Sequence, residues 1–148
     1  MHVKDIMSSN PICCAADTSL RKVAEKMVEF DCGEIPICDD SGKPVGVITD
    51  RDIVCRVVAK GHDPLKALAE DYMSRPVVTT SPDTPIDECV RLMEQFQVRR
   101  LPVVDDGGIF CGMLAQADVA RNAAPDTIAE VMEHVSEPNA FASSVGGR

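Results

Sequence analysis

Shifted by 66 residues, this chain matches itself: thirteen positions between Asp5 and Ile53 carry the same residue 66 places further on. Among them are Met7/Met73, Ser8/Ser74, Met27/Met93, Pro36/Pro102, Asp39/Asp105, Gly42/Gly108, Gly46/Gly112 and Asp52/Asp118. Background composition would give roughly three such matches. Apolar class is kept where identity is not, as in Leu20/Ile86, Ile35/Leu101, Ile48/Leu114 and Ile53/Val119. A repeat of this period constrains the fold strongly, because each copy is one supersecondary unit that cannot bury its open face alone.

Each copy carries the same series of signals. Ile12-Cys13-Cys14 and Val77-Val78-Thr79-Thr80 are short strand-like runs that follow a proline. Helical stripes come next: Leu20, Val23, Ala24 and Met27, then Ile86, Cys89, Val90 and Met93. The second helix is expected to open with Thr84 as N-cap, Pro85 at its first position and Asp87 in its first turn. Ile35–Cys38 and Leu101–Val104 read as buried strands, Val45–Ile48 and Cys111–Leu114 as return strands. Between them, Asp39-Asp40-Ser41-Gly42 and Asp105-Asp106-Gly107-Gly108 supply hairpin turns. Final helices are expected over about Asp50–Lys60 and Gln116–Asn122.

The expected fold is therefore α+β: two β-α-β-β-α motifs, residues 1–62 and 63–124, packed through their sheets as one pseudo-two-fold module. Thr127 and Glu130 form a capping box that opens a further amphipathic helix over 125–137, with Ile128, Val131, Met132 and Val135 on one face. Residues 138–148 have no pattern and are expected to be disordered.

Composition bears on partners. A net charge of −9 repels nucleic-acid phosphates and anionic membrane surfaces, so neither is an expected partner. No N-terminal apolar run marks a signal peptide and no stretch reaches 18 apolar residues, which gives an expected cytoplasmic location. In that reducing compartment seven cysteines read mostly as small buried hydrophobes.

Two copies in phase of Gly-apolar-apolar-x-x-x-Asp, Gly46-Val47-Ile48-Thr49-Asp50-Arg51-Asp52 and Gly112-Met113-Leu114-Ala115-Gln116-Ala117-Asp118, resemble the CBS-domain pair, or Bateman module. The likeness covers about residues 3–122. The second string has Ala115 where the family carries Thr or Ser. Thr49-Asp50-Arg51-Asp52-Ile53-Val54 and Val98-Arg99-Arg100-Leu101-Pro102-Val103 are similar to strings in small stand-alone bacterial CBS proteins of the hypoxic-response type.

The resemblance implies a non-catalytic regulatory module, a homodimer that binds AMP, ADP or ATP in the cleft between its two motifs. S-adenosylmethionine and NAD are alternatives, and no cofactor is required. It would signal in trans to a regulated protein that the sequence leaves unnamed. By the same resemblance Asp52 and Asp118 accept ribose hydroxyls, and Thr49 assists in the first copy. Ile12, Ile35 and Pro36 flank one base; Val78, Leu101 and Pro102 flank the other. Arg51, Arg99 and Arg100 stand near the expected phosphates, and guanidinium suits bidentate phosphate recognition.

A competing reading of the residues is that Thr49 and Asp52 form a helix-capping box. Asp118, opposite Ala115, lacks the hydroxyl of such a box, which favours binding there, with a dipole-stabilising aspartate in the first helical turn as the main competitor. Arg99 and Arg100 could equally hold Asp105 or Asp106. The homodimer is expected to bury Ile53, Val54, Val57 and Val58, with Val119 and Ala120. Cys13 and Cys38 lie near the ends of strands that a right-handed β-α-β unit lays parallel, so a disulfide could staple the first motif. Reduced buried thiols are the alternative there. No C-x-x-C occurs, and His2, His62 and His134 fit no zinc-ligand spacing. With no nucleophile-base pair or phosphate loop recognisable, an enzyme is not expected. The opposing hypothesis is a redox-responsive or structural interaction module that binds no nucleotide.

Overall fold

Both hairpins expected from the Asp-x-x-Gly turns are present in the computed structural model, which describes residues 1–9 and 12–122. Asp39 Oδ1 accepts the N–H groups of Ser41 and Lys43, both at 3.0 Å. Asp105 Oδ1 does the same for Gly107 and Ile109, at 2.9 and 3.0 Å. Gly42 and Gly108 close the turns at φ +88° and +81°, a region that L side chains rarely adopt.

The strands are β1 (Cys14–Ala15), β2 (Glu34–Cys38), β3 (Pro44–Thr49), β4 (Arg100–Val104) and β5 (Phe110–Ala115). The first three form one sheet in that order, β1 parallel and β3 antiparallel to β2, and β4 and β5 form a second. The expected strand over Val77–Thr80 reduces to one parallel bridge, Thr80 to Val103. That bridge repeats the Cys14–Ile37 register 66 residues later. The pairing stays short because Pro102 offers the ladder only its carbonyl, which accepts the Thr80 N–H at 3.0 Å.

The helices are α1 (Val3–Ile6), α2 (Leu20–Phe30), α3 (Asp50–Asp52), α4 (Ala69–Tyr72), α5 (Ile86–Phe96) and α6 (Gln116–Asn122). The Ser19 hydroxyl caps α2 by accepting the Lys22 N–H. The stripes of α2 and α5 face inward as expected: Leu20, Val23 and Met27 are buried, as are Ile86, Cys89, Val90 and Met93. Two expectations are corrected. Helix α5 starts at Ile86 with Pro85 as its N-cap residue, and Thr84 instead closes the preceding turn, its Oγ1 2.8 Å from that of Ser81. The helix-start groups go to the chain's own beginning: Val3 N–H donates to the Thr84 carbonyl and Ile86 N–H to that of Met1. The helix expected over 50–60 is α-helical only at α3 and continues as a π-helix over Ile53–Val58. Four of those six residues are β-branched, and their χ1 crowding against the preceding turn disfavours tight winding.

Two compact units result, and they interleave along the chain. The unit built on the first repeat comprises 12–77 and Val104–Cys111. Its core joins Leu20, Val23, Ile35, Ile37, Ile48 and Val57, all fully buried, at about 1.5–3 kcal/mol of apolar transfer energy each. Helix α4 belongs to it: Ala69 N–H donates to Thr18, Glu70 N–H to Ala16, and Ser74 pairs with Val47. The unit built on the second repeat comprises Met1–Ser9, Val78–Val103 and the described chain from Gly112. Helix α1 belongs to that unit, where Ser8 pairs with Met113. Each repeat therefore surrenders its opening turn to the other repeat's unit. The helix expected over 125–137 and the tail over 138–148 lie outside the described residues.

Candidate functional site

In the first-repeat unit, β3 delivers its last residue, Thr49, directly to the start of α3. A capping box forms there: Thr49 Oγ1 accepts the Asp52 N–H at 3.1 Å, and Asp52 Oδ2 accepts the Thr49 N–H at 2.9 Å. The second Asp52 oxygen, Oδ1, lies 4.0 Å from Arg56 Nη1. Arg56 donates to the Tyr72 carbonyl, and its guanidinium lies 5.8 Å from the centroid of that tyrosine's ring. A carboxylate has about four lone-pair positions. One is spent on the cap, and the 19%-exposed Asp52 side chain can accept more.

The remaining first-repeat residues are close by in the chain and in the sheet. Ile35 and Pro36 are buried on β2, and Ile35 pairs with Ile48 of β3. Ile12 is half-buried against the same core. Arg51 is half-buried, and its N–H donates to Asp50 Oδ1. The Asp50 N–H in turn donates to the Gly33 carbonyl, tying the helix start to the approach of β2.

The second-repeat unit reproduces this frame, and one expectation fails there. Asp118 is not a freer carboxylate for want of a hydroxyl at Ala115. Its Oδ2 accepts the Ala115 N–H at 2.8 Å, because the backbone donor remains whatever the side chain. Its Oδ1 takes Arg121 Nη2 at 2.5 Å. Leu101 and Pro102 are buried on β4, Val78 is half-buried, and Gln116 N–H donates to the Arg99 carbonyl as Asp50 does to that of Gly33. Arg99 is exposed and Arg100 half-buried. Among the described residues neither forms an ion pair, so the expected partnership with Asp105 or Asp106 is not made.

Arg56, Tyr72 and Arg121 are the residues that sequence reading missed. Arg56 and Arg121 stand four and three places after their aspartates, a helical spacing that was open to notice. Tyr72 comes from α4, a neighbour that only the tertiary fold supplies. The face expected to be buried in a homodimer needs correction too. Ile53, Val57 and Val119 are core residues, whereas Val54 and Val58 are 58% and 57% exposed.

All seven cysteines are free thiols. Cys14, Cys38 and Cys89 are buried as expected, but Cys13 and Cys55 are exposed. Burial first, then the neighbouring Cys13 thiol, push the Cys38 thiol up to about 12. Among the described residues no group of three or more His, Cys, Asp or Glu is placed to hold a metal ion. No described helix is long and apolar enough to cross a membrane.

The family model for the CBS domain matches this chain twice, over residues 3–59 and 69–125. The chain belongs to the CBS domain family. As a tandem CBS pair it is 34% identical over 140 residues to hypoxic response protein 1 of Mycobacterium tuberculosis, covering 95% of this chain and 97% of that one. The crystal structure of that protein with two coordinated zinc ions superposes with a TM-score of 0.77, over 84% of this chain and all of that one. The CBS domain pair of protein MJ0100, solved with 5′-methylthioadenosine and S-adenosyl-L-methionine, is 32% identical, with a TM-score of 0.74 over 82% of this chain and 94% of that one. CBSX2 in complex with AMP is 27% identical, with a TM-score of 0.70 over 81% and 93% of the two chains.

Proposed function

We propose that this CBS pair is a non-catalytic sensor of an adenosyl ligand, read first of all by Asp52. One observation carries the reading. The Asp52 carboxylate is fixed by the capping box beside the buried Ile35–Pro36 strand, with one oxygen still able to accept a ribose hydroxyl. Ile12 and the backbone of the Ile35–Pro36 strand flank the base, the fully buried Ile35 side chain lying behind it, and Thr49 and Arg51 serve ribose and phosphate. The second repeat offers Val78, Leu101, Pro102 and Asp118, with Arg99 and Arg100 for phosphate. Asp118 is the weaker acceptor, since Arg121 already occupies its outer oxygen. The solved complexes of MJ0100 and CBSX2 support an adenosine-containing ligand, and AMP, ADP and ATP are the first choices ahead of S-adenosylmethionine and NAD. The module works as a cytoplasmic homodimer through Val54 and Val58 and passes its state to a partner protein in trans.

A second reading, an interaction module that binds no nucleotide, is favoured by one fact: both aspartates already serve their own helix starts. Melting temperature in the presence of each ligand separates the two. A ligand at a hundredfold excess over its Kd stabilises the folded state by about 2.7 kcal/mol, which for a chain of this size raises Tm by about 5–10 °C. Asp52→Ala should erase most of that increment, and Asp118→Ala a smaller part. The capping loss, about 0.5–2 kcal/mol, lowers the Tm with and without ligand alike and cancels when each variant is compared with itself. No shift with any of the five ligands at millimolar concentration would refute the nucleotide sensor and make the interaction module the preferred reading.

A further inference from the structure

The two repeats share the aspartates Asp52 and Asp118, but their arginines sit one place apart. Arg56 follows Asp52 by four residues, where the second repeat has Asn122; Arg121 follows Asp118 by three, where the first has Cys55. What each arginine holds differs accordingly. Arg56 donates to the Tyr72 carbonyl, stacks against the ring of that tyrosine and stays 4.0 Å from Asp52 Oδ1. The second-repeat unit has Ile6 of α1 at the position matching Tyr72, and it offers no ring. Arg121 instead sets Nη2 2.5 Å from Asp118 Oδ1, with its own side chain 68% exposed and that of Asp118 15% exposed. Asn122, in the place of Arg56, turns its amide back to the Asp118 carbonyl at 2.8 Å.

We propose that Arg121 is a specificity-determining residue that reserves the second repeat's site for adenosyl ligands carrying a phosphate. This role rests on the adenosyl reading given above. Asp118 Oδ2 is committed to the Ala115 N–H, so Oδ1 is the oxygen open to a ribose hydroxyl, and the Arg121 guanidinium stands against it. Any ligand that uses Asp118 must move that guanidinium aside. A phosphate gives it a second anion to go to, one whose oxygens match the guanidinium fork in a bidentate pair. Adenosine breaks the same ion pair and leaves the guanidinium without an anion.

The surroundings favour this exchange in one repeat and not in the other. The head of Arg121 lies in solvent on a long flexible stem, so it can swing from carboxylate to phosphate. Arg99 and Arg100 add positive charge there, because the Gln116 N–H, donating to the Arg99 carbonyl, ties the backbone of that pair to the start of α6. In the first repeat Arg56 is committed to Tyr72, by its carbonyl and by its ring, and leaves Asp52 Oδ1 uncovered. That site therefore takes an adenosyl ligand with or without a phosphate.

Calorimetric titration of the full chain compares AMP with adenosine, which differ only in the phosphate. AMP should fill two sites per chain and adenosine one. In Asp52→Ala, where the second site is read alone, adenosine should bind about tenfold or more weaker than AMP, the worth of a charge-assisted hydrogen bond. Adding Arg121→Gln should weaken AMP and strengthen adenosine, so that the ratio collapses toward unity. Arg121→Lys keeps the charge without the fork and should restore part of the ratio. Should Asp52→Ala fold poorly, Arg121→Gln alone decides, since adenosine should then fill two sites. An unchanged ratio in Arg121→Gln, adenosine filling both wild-type sites, or AMP filling only the Asp52 site would overturn the role of Arg121 and leave the adenosyl reading standing. No binding of either ligand to the wild-type chain would overturn both.

Discussion

The two string glycines owe their identity to close approach. A Cβ on Gly112 would lie 2.6 Å from the backbone oxygen of Ser8; one on Gly46 would meet the Met73 side chain, Sδ at 2.4 Å. Met7/Met73, Ser8/Ser74 and Gly46/Gly112 are thus one constraint seen three times: each glycine receives a Met-Ser pair. The outcomes of substitution should differ. Gly46→Ala pushes on a flexible side chain and should cost about 1–3 kcal/mol. Gly112→Ala pushes on backbone and endangers two paired hydrogen bonds, Ser8 N–H to the Met113 carbonyl and its reciprocal, each worth about 0.5–1.5 kcal/mol. Urea denaturation should therefore rank Gly112→Ala as the more damaging, and the reverse ranking would refute this account. Sequence reading identified these glycines but not their purpose, because the residues they admit are far away in the chain. The aspartates were legible in the same partial way. Their places in the strings were plain, whereas the Ala115 N–H that holds Asp118 is a donor every residue but proline has and no side-chain pattern reveals.

Among elements, those set by local periodicity were read well and those set by pairing were not. The buried stripes of α2 and α5 follow from residues three and four apart, which a helix brings together wherever it lies. The lengths of β1 and its second-repeat counterpart depend on what β2 and β4 can offer, and both of those strands carry a central proline. The π-helix has a consequence for assembly. It turns Ile53 and Val57 into the core and leaves Val54 and Val58 outside, one apolar strip on an acidic protein. If that strip is the homodimer face, Val54→Asp with Val58→Asp should convert a dimer to a species near 16.0 kDa by light scattering, with the melting transition of the monomer retained. A wild-type mass already at that value would remove the dimer from the proposal.

For the whole molecule, the governing fact is that the repeat legible in the sequence is not the unit present in space. The 66-residue offset revealed two copies, but it could not show that each copy's opening turn is seated in the other's unit, since the Met-Ser pair that meets the glycine is the same in both copies. Removing residues 1–9 should thus strip protection from hydrogen exchange at Ile86 and Met113 while amides of the β2–β3 pair keep theirs. Equal loss in both regions would contradict the division. Protein synthesis meets this arrangement as a problem of timing. The unit holding β1 to β3 has all its parts once Cys111 has been added. The other needs both residues 1–9 and the part of β5 from Gly112 onward, so its first segment waits roughly 5–20 s for its partner at about 5–20 residues per second. Residues 1–9 leave the ribosome well before the strand that receives them.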